Sequence, residues 1–106
     1  MSLTRRKFTA GALGVLATPA LAGNQMHKVE IRNFAFNPDQ LEVRHGDQIR
    51  FTNSDLAPHT ATANDGSWDT GTLESGMSLV LDITSDCTGG YFCAYHPHMK
   101  AALLIR

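Results

Sequence analysis

Three side chains near the C-terminus combine a thiol, an imidazole and a thioether at regular intervals. They are Cys93, His96 and Met99, with two residues between each and the next. Thiolate and thioether sulfur prefer Cu(I), whereas imidazole binds both oxidation states of copper. A cysteine and two histidines with a long axial methionine form the ligand set of copper sites that transfer electrons. The segment therefore predicts a soft-metal site that still lacks one imidazole.

The missing imidazole has one best candidate upstream. His59 follows a predicted strand that ends near Asn53, and the preceding Pro58 stiffens the chain as it approaches. Neutral imidazole is a common metal ligand. We therefore expect His59 to join Cys93 and His96, although the two segments lie far apart in the sequence.

The same side chains also have simpler interpretations. An oxidising compartment would permit a disulfide between Cys87 and Cys93, which would close a short loop through two glycines. If Cys93 binds a metal instead, we expect Cys87 to be a small buried or turn residue. The thiol and two imidazoles could also hold structural zinc. His98 could compete with His96, but Pro97 between them directs their side chains differently, which favours a surface imidazole.

Alternating apolar and polar residues predict short strands on both sides of the candidate ligands. The runs with this alternation, or with strand-like composition, cover residues 28–32, 40–44, 48–52, 78–84, 91–93 and 101–105. Turn signals at 45–47 and 88–90 separate them, and the ligand segment would form a loop between the last two strands. The pattern predicts an all-β fold, a small antiparallel β-sandwich or Greek-key barrel with almost no helix.

The remaining histidines and the tryptophan have structural interpretations. His27 at a strand start and His45 in a turn are expected to be solvated, and Trp68 to pack in the core or under a loop. The acidic residues form no close pair in a catalytic arrangement. Acid–base hydrolysis therefore has no candidate residues, and we assign no catalytic residue. A metal held by four protein ligands would have no vacant position for a substrate, so we predict an electron carrier and not an enzyme.

The spacing of these residues resembles that of the cupredoxins, the blue-copper proteins of the plastocyanin and azurin type. The matching pattern is Phe34-x-Phe36-x-Pro38-x-x-Leu41-x-Val43-x-x-Gly46-Asp47-x-Ile49-x-Phe51-x-Asn53, then Pro58-His59, then Cys93-x-x-His96-x-x-Met99. The short ligand segment is most similar to that of the amicyanin group. The resemblance implies one type 1 copper ion, with His59, Cys93 and His96 as equatorial ligands and Met99 as the weak axial one.

The resemblance also implies a function. Proteins of this kind shuttle single electrons through Cu(I) and Cu(II), and His96 would be the exposed point of electron entry and exit. A dehydrogenase donor and a cytochrome c acceptor would be the redox partners of a monomeric carrier. The alternative is a copper-binding protein for copper storage or delivery, in which exchange of the metal is the task.

Two positions depart from the family pattern. Thr60 stands where many cupredoxins have an asparagine that ties the two ligand segments together, so the tie is expected to be weaker or replaced. Tyr95 stands where the amicyanin loop has a proline, and it adds a backbone N–H. We hypothesise that this N–H points at the Cys93 sulfur and stabilises the thiolate.

The N-terminal residues indicate in which compartment the protein acts, and the net charge limits the partners it can bind. Residues 1–22 of the 106 combine Arg5-Arg6, a short apolar run and a small-x-small cleavage site before Gly23, which predicts an export signal of the twin-arginine type. The mature domain would be residues 23–106, in the periplasm and without membrane insertion. It would carry six basic against ten acidic residues, a net charge of −4, which disfavours nucleic acid as a partner.

Overall fold

The computed structural model describes residues 25–106 of the chain. The predicted export signal over residues 1–22 and its cleavage site before Gly23 lie outside the described residues. Within residues 25–106, no helix has the length and apolar character that crossing a membrane would require.

Short strands account for about half of this part of the chain. In sequence order they are β1 (Met26–Arg32), β2 (Ala35–Asn37), β3 (Gln40–Val43), β4 (Gln48–Asn53), β5 (Thr62–Ala63), β6 (Ser78–Asp82), β7 (Gly90–Cys93) and β8 (His96–Ile105). Each predicted strand overlaps one of these. The last strand begins at His96 rather than at Ala101, so it takes in the segment predicted as a ligand loop.

The strands form two four-stranded sheets, with the orders β2-β1-β4-β6 and β3-β8-β7-β5. The predicted all-β sandwich is confirmed. Each sheet is mixed, because one parallel pair, β1 with β4 and β8 with β3, lies among antiparallel pairs. The chain passes from one sheet to the other between β2 and β3 and back again before β4, which allows β1 and β4 to run in the same direction.

The core lies between the sheets and follows the predicted alternation. Val29 and Ile31 in β1 and Ile49 and Phe51 in β4 are buried, while the residues between them are more exposed. Trp68 is also buried and its ring stacks on Phe51 at a centroid distance of 6.0 Å, which confirms its packing role.

A buried carboxylate, that of Asp47, lies at the end of the sandwich where β1 and β4 begin. Asp47 accepts hydrogen bonds from the N–H groups of Gln25 and Arg44, each at 3.0 Å, and lies 2.8 Å from Nε2 of His27. Burial alone would raise the pKa of Asp47, but the bonds from His27 and the two amides outweigh it and lower the pKa below its usual value. The prediction of a solvated His27 is therefore wrong, whereas His45 is exposed as predicted.

Candidate metal centre

His59 is placed by the turn that follows β4. Asn53, the last residue of β4, is fully buried, and its side-chain amide donates to the backbone oxygens of Ala57 and Leu73, both at 2.8 Å. Its side-chain oxygen accepts a bond from the N–H of Asp55 at 2.8 Å. The backbone of His59 pairs with Leu73 through hydrogen bonds of 3.1 and 2.7 Å. These contacts fix the backbone from residue 53 to 59 and leave His59 completely buried.

Asp55 holds the His59 ring and selects which of its nitrogens carries the proton. Its Oδ2 lies 2.8 Å from Nε2 of His59, and the carboxylate also accepts bonds from the N–H groups of Asn33 at 2.7 Å and Phe34 at 2.9 Å. Burial alone would raise the pKa of Asp55, but these hydrogen bonds lower it, so the group is ionised at neutral pH. An ionised acceptor requires the proton on Nε2, which leaves Nδ1 of His59 free to bind a metal.

The other donors come from a tight hairpin. Cys93 ends β7 and pairs with His96, the first residue of β8, so that Ala94 and Tyr95 alone form the turn. The next residue of β8 that pairs with β7 is Lys100, and the three residues before it bulge out of the ladder. The ligand segment is therefore a bulged strand start, and the prediction of a loop is wrong.

The bulge separates inward from outward side chains. Met99 is buried, with 3% of its surface exposed, whereas His98 beside it is exposed. The prediction that His98 is a surface imidazole is confirmed. Met99 is thus the inward-facing thioether of the segment, as the three-residue spacing requires.

Three donor atoms converge between the two segments. Sγ of Cys93 lies 3.6 Å from Nδ1 of His59 and 3.6 Å from Nδ1 of His96, and the three atoms lie within 4.8 Å of one another. Cys93 and His59 are fully buried, and His96 is half-buried. Both Cys87 and Cys93 are free thiols, so the disulfide interpretation is not supported.

The Cys93 sulfur receives one backbone hydrogen bond from residues 25–106. The donor is the N–H of Thr60, at 3.4 Å. The hypothesis that Tyr95 supplies this donor is wrong, because within the described residues the Tyr95 N–H makes no hydrogen bond to this sulfur. The Tyr95 hydroxyl lies 2.8 Å from Oγ1 of Thr72. The hydrogen bond from Thr60 links the residue after His59 to the Cys93 sulfur and helps to orient that donor.

The Thr60 side chain also ties the two ligand segments together. Its hydroxyl oxygen accepts a bond from the N–H of Ala94 at 2.8 Å and lies 2.9 Å from Oγ1 of Thr62. A threonine therefore makes the tie for which the family resemblance implies an asparagine. The tie is a single short hydrogen bond between the residue after His59 and the residue after Cys93.

Phe34 packs against both imidazoles. Its ring centroid lies 5.1 Å from that of His59 and 4.8 Å from that of His96, with the ring planes at 88° in both cases. Phe34 occupies the turn between β1 and β2 together with Asn33, and both have left-handed backbone angles, φ 57° and 55°. A bulky residue in this region costs about 1–2 kcal/mol.

The donor types and their spacing fit a copper ion. Bonds of about 2.0–2.3 Å from a first-row ion to imidazole nitrogen and thiolate sulfur, spread in one plane, separate neighbouring donors by about 3.7 Å. The two sulfur–nitrogen separations are 3.6 Å, and the donor atoms of the two imidazoles lie within 4.8 Å of each other. Structural zinc sites use cysteine, histidine and carboxylate ligands, whereas a thioether is a copper ligand, so the buried Met99 favours copper.

Asp55 and Phe34 also belong to this centre, although neither was predicted from the sequence as a site residue. A carboxylate four residues before a candidate ligand histidine was the available signal for Asp55. For Phe34 no local signal exists, because its contact with the imidazoles depends on how β1 and β2 fold over the site.

The family model and the solved structures agree with this fold. The family model of the cupredoxin-like domain matches residues 7–105. No curated protein sequence matches the chain. Among solved structures, an oxidised amicyanin variant superposes with a TM-score of 0.68 at 20% identity, over 76% of this chain and 82% of amicyanin.

Two further structures show the range of proteins that share this fold. A purple cupredoxin from Nitrosopumilus maritimus has a TM-score of 0.65 at 19% identity, over 76% of this chain and 99% of its own. A copper-containing nitrite reductase from Thermus scotoductus has a TM-score of 0.65 at 24% identity, over 76% of this chain. This chain spans only 22% of that enzyme. At such identities these structures establish the fold alone.

Proposed function

The chain belongs to the cupredoxin-like family, and we propose that it is a copper protein that carries single electrons between other redox proteins. In this proposal His59, Cys93, His96 and Met99 are the ligands of one type 1 copper ion. The observation that carries the proposal is the approach of two imidazole Nδ1 atoms to the Cys93 sulfur, each at 3.6 Å.

The role of the chain is to keep its donors in place. Copper, when bound, supplies the one-electron change between Cu(I) and Cu(II). Asn53 and Asp55 fix His59 from one side, and the Thr60 hydroxyl joins the two ligand segments. Donors held this firmly move little when the charge at the centre changes, which favours fast electron transfer. Four protein donors also leave no open position for a substrate, which favours a carrier over an enzyme.

Electrons are proposed to enter and leave through His96. It is half-buried, whereas the other three donor residues are buried. Two exposed aromatic residues lie beside it, Phe34 with 48% and Tyr95 with 52% of their surface exposed. A small, partly apolar surface around an imidazole suits brief contact with a redox partner, because such encounters bury little area.

The compartment and the partners form part of the same proposal. Residues 1–22 are proposed to be a twin-arginine export signal, and residues 23–106 to be the mature domain, which acts in the periplasm as a monomer. A dehydrogenase as electron donor and a cytochrome c as acceptor follow from the family resemblance. Secretion of the full-length chain, with loss of export when Arg5 and Arg6 are both replaced by lysine, would test the signal.

Copper storage or delivery remains the second candidate function. The exposed His98 lies two residues from the half-buried His96, so an incoming ligand could reach the metal from this side. A carrier retains its copper through many redox cycles. A delivery protein surrenders it to a competing copper-binding protein within one encounter.

The absorption spectrum of the mature protein tests the ligand set. Cu(II) bound to the Cys93 thiolate should give an intense visible band that disappears on reduction, and Cys93→Ser should abolish it. Cys87→Ser serves as the matched control, because that thiol lies outside the centre, and it should leave the band unchanged. A colourless Cu(II) protein, or a band lost in the Cys87 variant alone, would overturn the proposed site.

A further inference from the structure

The two imidazoles of the centre are held by different means. His59 is completely buried and its Nε2 lies 2.8 Å from Asp55. His96 is half-buried, and no side chain or backbone group within residues 25–106 forms a hydrogen bond with its Nε2. A histidine ligand is usually oriented by a hydrogen bond to its second nitrogen. The orientation of His96 therefore depends on a different contact.

Phe34 provides that contact. Its ring lies closer to His96 than to His59, with centroid distances of 4.8 and 5.1 Å, and is perpendicular to both. Perpendicular aromatic pairs at such distances attract each other beyond the burial of their surface. Rotation of the His96 ring away from Cys93 would break this packing, so Phe34 opposes it.

The conformation of the turn supports a dedicated role. Arg32 and Ala35 pair across a two-residue hairpin turn in which Asn33 and Phe34 both have positive φ. Glycine is the usual second residue of such a turn, because it adopts positive φ without strain. Here the turn is kept by Asp55, which accepts the N–H bonds of both turn residues. A strained residue held in place by its surroundings at a candidate site points to a function of its side chain.

We propose that Phe34 is a positioning residue that keeps the His96 imidazole aimed at the Cys93 sulfur, in the role that Asp55 has for His59. Asp55 then serves both imidazoles, directly for His59 and through the Phe34 turn for His96. This inference rests on the proposed function, because the benefit of a fixed His96 is a donor that stays in position when the charge of the metal changes.

The test uses the metal-free mature protein, in which no metal bond restrains His96. In wild type the His96 ring protons should give one sharp set of NMR signals, shifted by the nearby Phe34 ring. Phe34→Gly should retain the turn, since glycine suits positive φ, yet at least double the His96 linewidths or split the signals. The His59 signals should stay sharp, because Asp55 still holds that ring.

Further variants separate ring packing from simple loss of bulk. Phe34→Tyr keeps the ring and should behave as wild type, whereas Phe34→Leu should only partly restore the sharp His96 signals. Leu104→Ala removes a side chain that is also about half exposed, at the far end of β8, and should change nothing at the centre. Sharp, unshifted His96 signals in folded Phe34→Gly would overturn the inference.

A second measurement connects positioning to the metal. The Cu(I) dissociation constant should rise about tenfold in Phe34→Gly, as for loss of other orienting groups, and stay near the wild-type value in Phe34→Tyr. An unchanged constant in Phe34→Gly would also overturn the inference. If wild type gives no visible band with Cu(II), the proposed function fails instead, and the metal-free spectra still decide whether Phe34 restrains His96.

Discussion

Two carboxylates in this protein make nearly the same set of hydrogen bonds at opposite ends of β4. Asp47 accepts bonds from two backbone N–H groups and lies 2.8 Å from Nε2 of His27. Asp55 accepts bonds from two backbone N–H groups and lies 2.8 Å from Nε2 of His59. The difference lies on the other side of the imidazole, where Nδ1 of His59 meets the Cys93 sulfur. Of these two carboxylate–histidine pairs, the one beside Cys93 therefore has an imidazole nitrogen placed to bind a metal, and the other has a structural role.

The largest expected effect comes from removing each carboxylate in turn. Asp55→Ala should weaken copper binding by about 10–100-fold, because the orientation and tautomer of His59 are no longer fixed. Asp47→Ala should leave copper affinity within about twofold of wild type. Both variants should lose about 2–3 kcal/mol of unfolding free energy in the metal-free state. Competition with a Cu(I) chelator and denaturant unfolding measure the two quantities. Equal losses of copper affinity in both variants would remove the distinction between the two pairs.

Two buried threonines, Thr60 and Thr70, have hydroxyl oxygens that accept hydrogen bonds from backbone N–H groups. The Thr60 hydroxyl accepts the N–H bond of Ala94 and thereby joins the two ligand segments. The Thr70 hydroxyl accepts the N–H bond of Ala61 at 3.0 Å, outside the centre. Valine at either position should cost about 1–2 kcal/mol of unfolding free energy. The visible spectrum of the copper protein should shift in Thr60→Val alone. A shift of the same size in Thr70→Val would mean that general loosening, and not the tie, changes the spectrum.

Acid should lower the unfolding free energy of the metal-free protein, and Asp47 and Asp55 should both contribute to this loss. Hydrogen bonds hold the pKa of Asp47 and of Asp55 below the usual value of about 3.9. Just below that pH the unfolded chain therefore binds more protons than the folded one, and the unfolding free energy falls as pH decreases toward the folded-state pKa values. Asp47→Asn and Asp55→Asn should each flatten this dependence between about pH 5 and 2. An unaltered slope in both variants would assign the acid sensitivity to other carboxylates.

The smallest expected effect has the opposite sign. The Tyr91 hydroxyl is buried and has no hydrogen-bond partner within residues 25–106, whereas both carboxylates accept several hydrogen bonds. Burial is the main cause of the raised pKa of this hydroxyl, which is therefore neutral. Tyr91→Phe should raise the unfolding free energy by about 1 kcal/mol, because the hydroxyl no longer has to leave water on folding. Thermal and denaturant unfolding measure the change, and a loss of stability would reveal a partner for the hydroxyl.

The strands and the Cys93 side of the centre could be predicted because their signals are local. Alternation along β1 and β4 predicts which residues face the core, and the three-residue spacing from Cys93 to Met99 specifies three donors. The spacing did not reveal that β8 begins at His96. That start depends on the hairpin pairing of His96 with Cys93 and on the bulge that follows it.

The His59 side was harder to predict because its contacts join distant parts of the sequence. The proline before His59 made this histidine a candidate, yet the orientation of its ring depends on Asp55. Asp55 also accepts a hydrogen bond from Asn33, which lies more than twenty residues upstream. The same reasoning explains the error for His27. Its strand-start position indicated solvent, whereas its partner Asp47 lies on another segment of the chain.

Repeated oxidation and reduction of the copper-loaded mature protein, followed by absorption and by copper analysis, tests the central claim most directly. An electron carrier with these ligands should take up one electron per protein, lose its visible band on reduction and recover it fully on oxidation. It should retain its copper over many cycles in the presence of a competing chelator. Irreversible loss of the band, with copper released at the first reduction, would contradict electron transfer and support delivery of the metal.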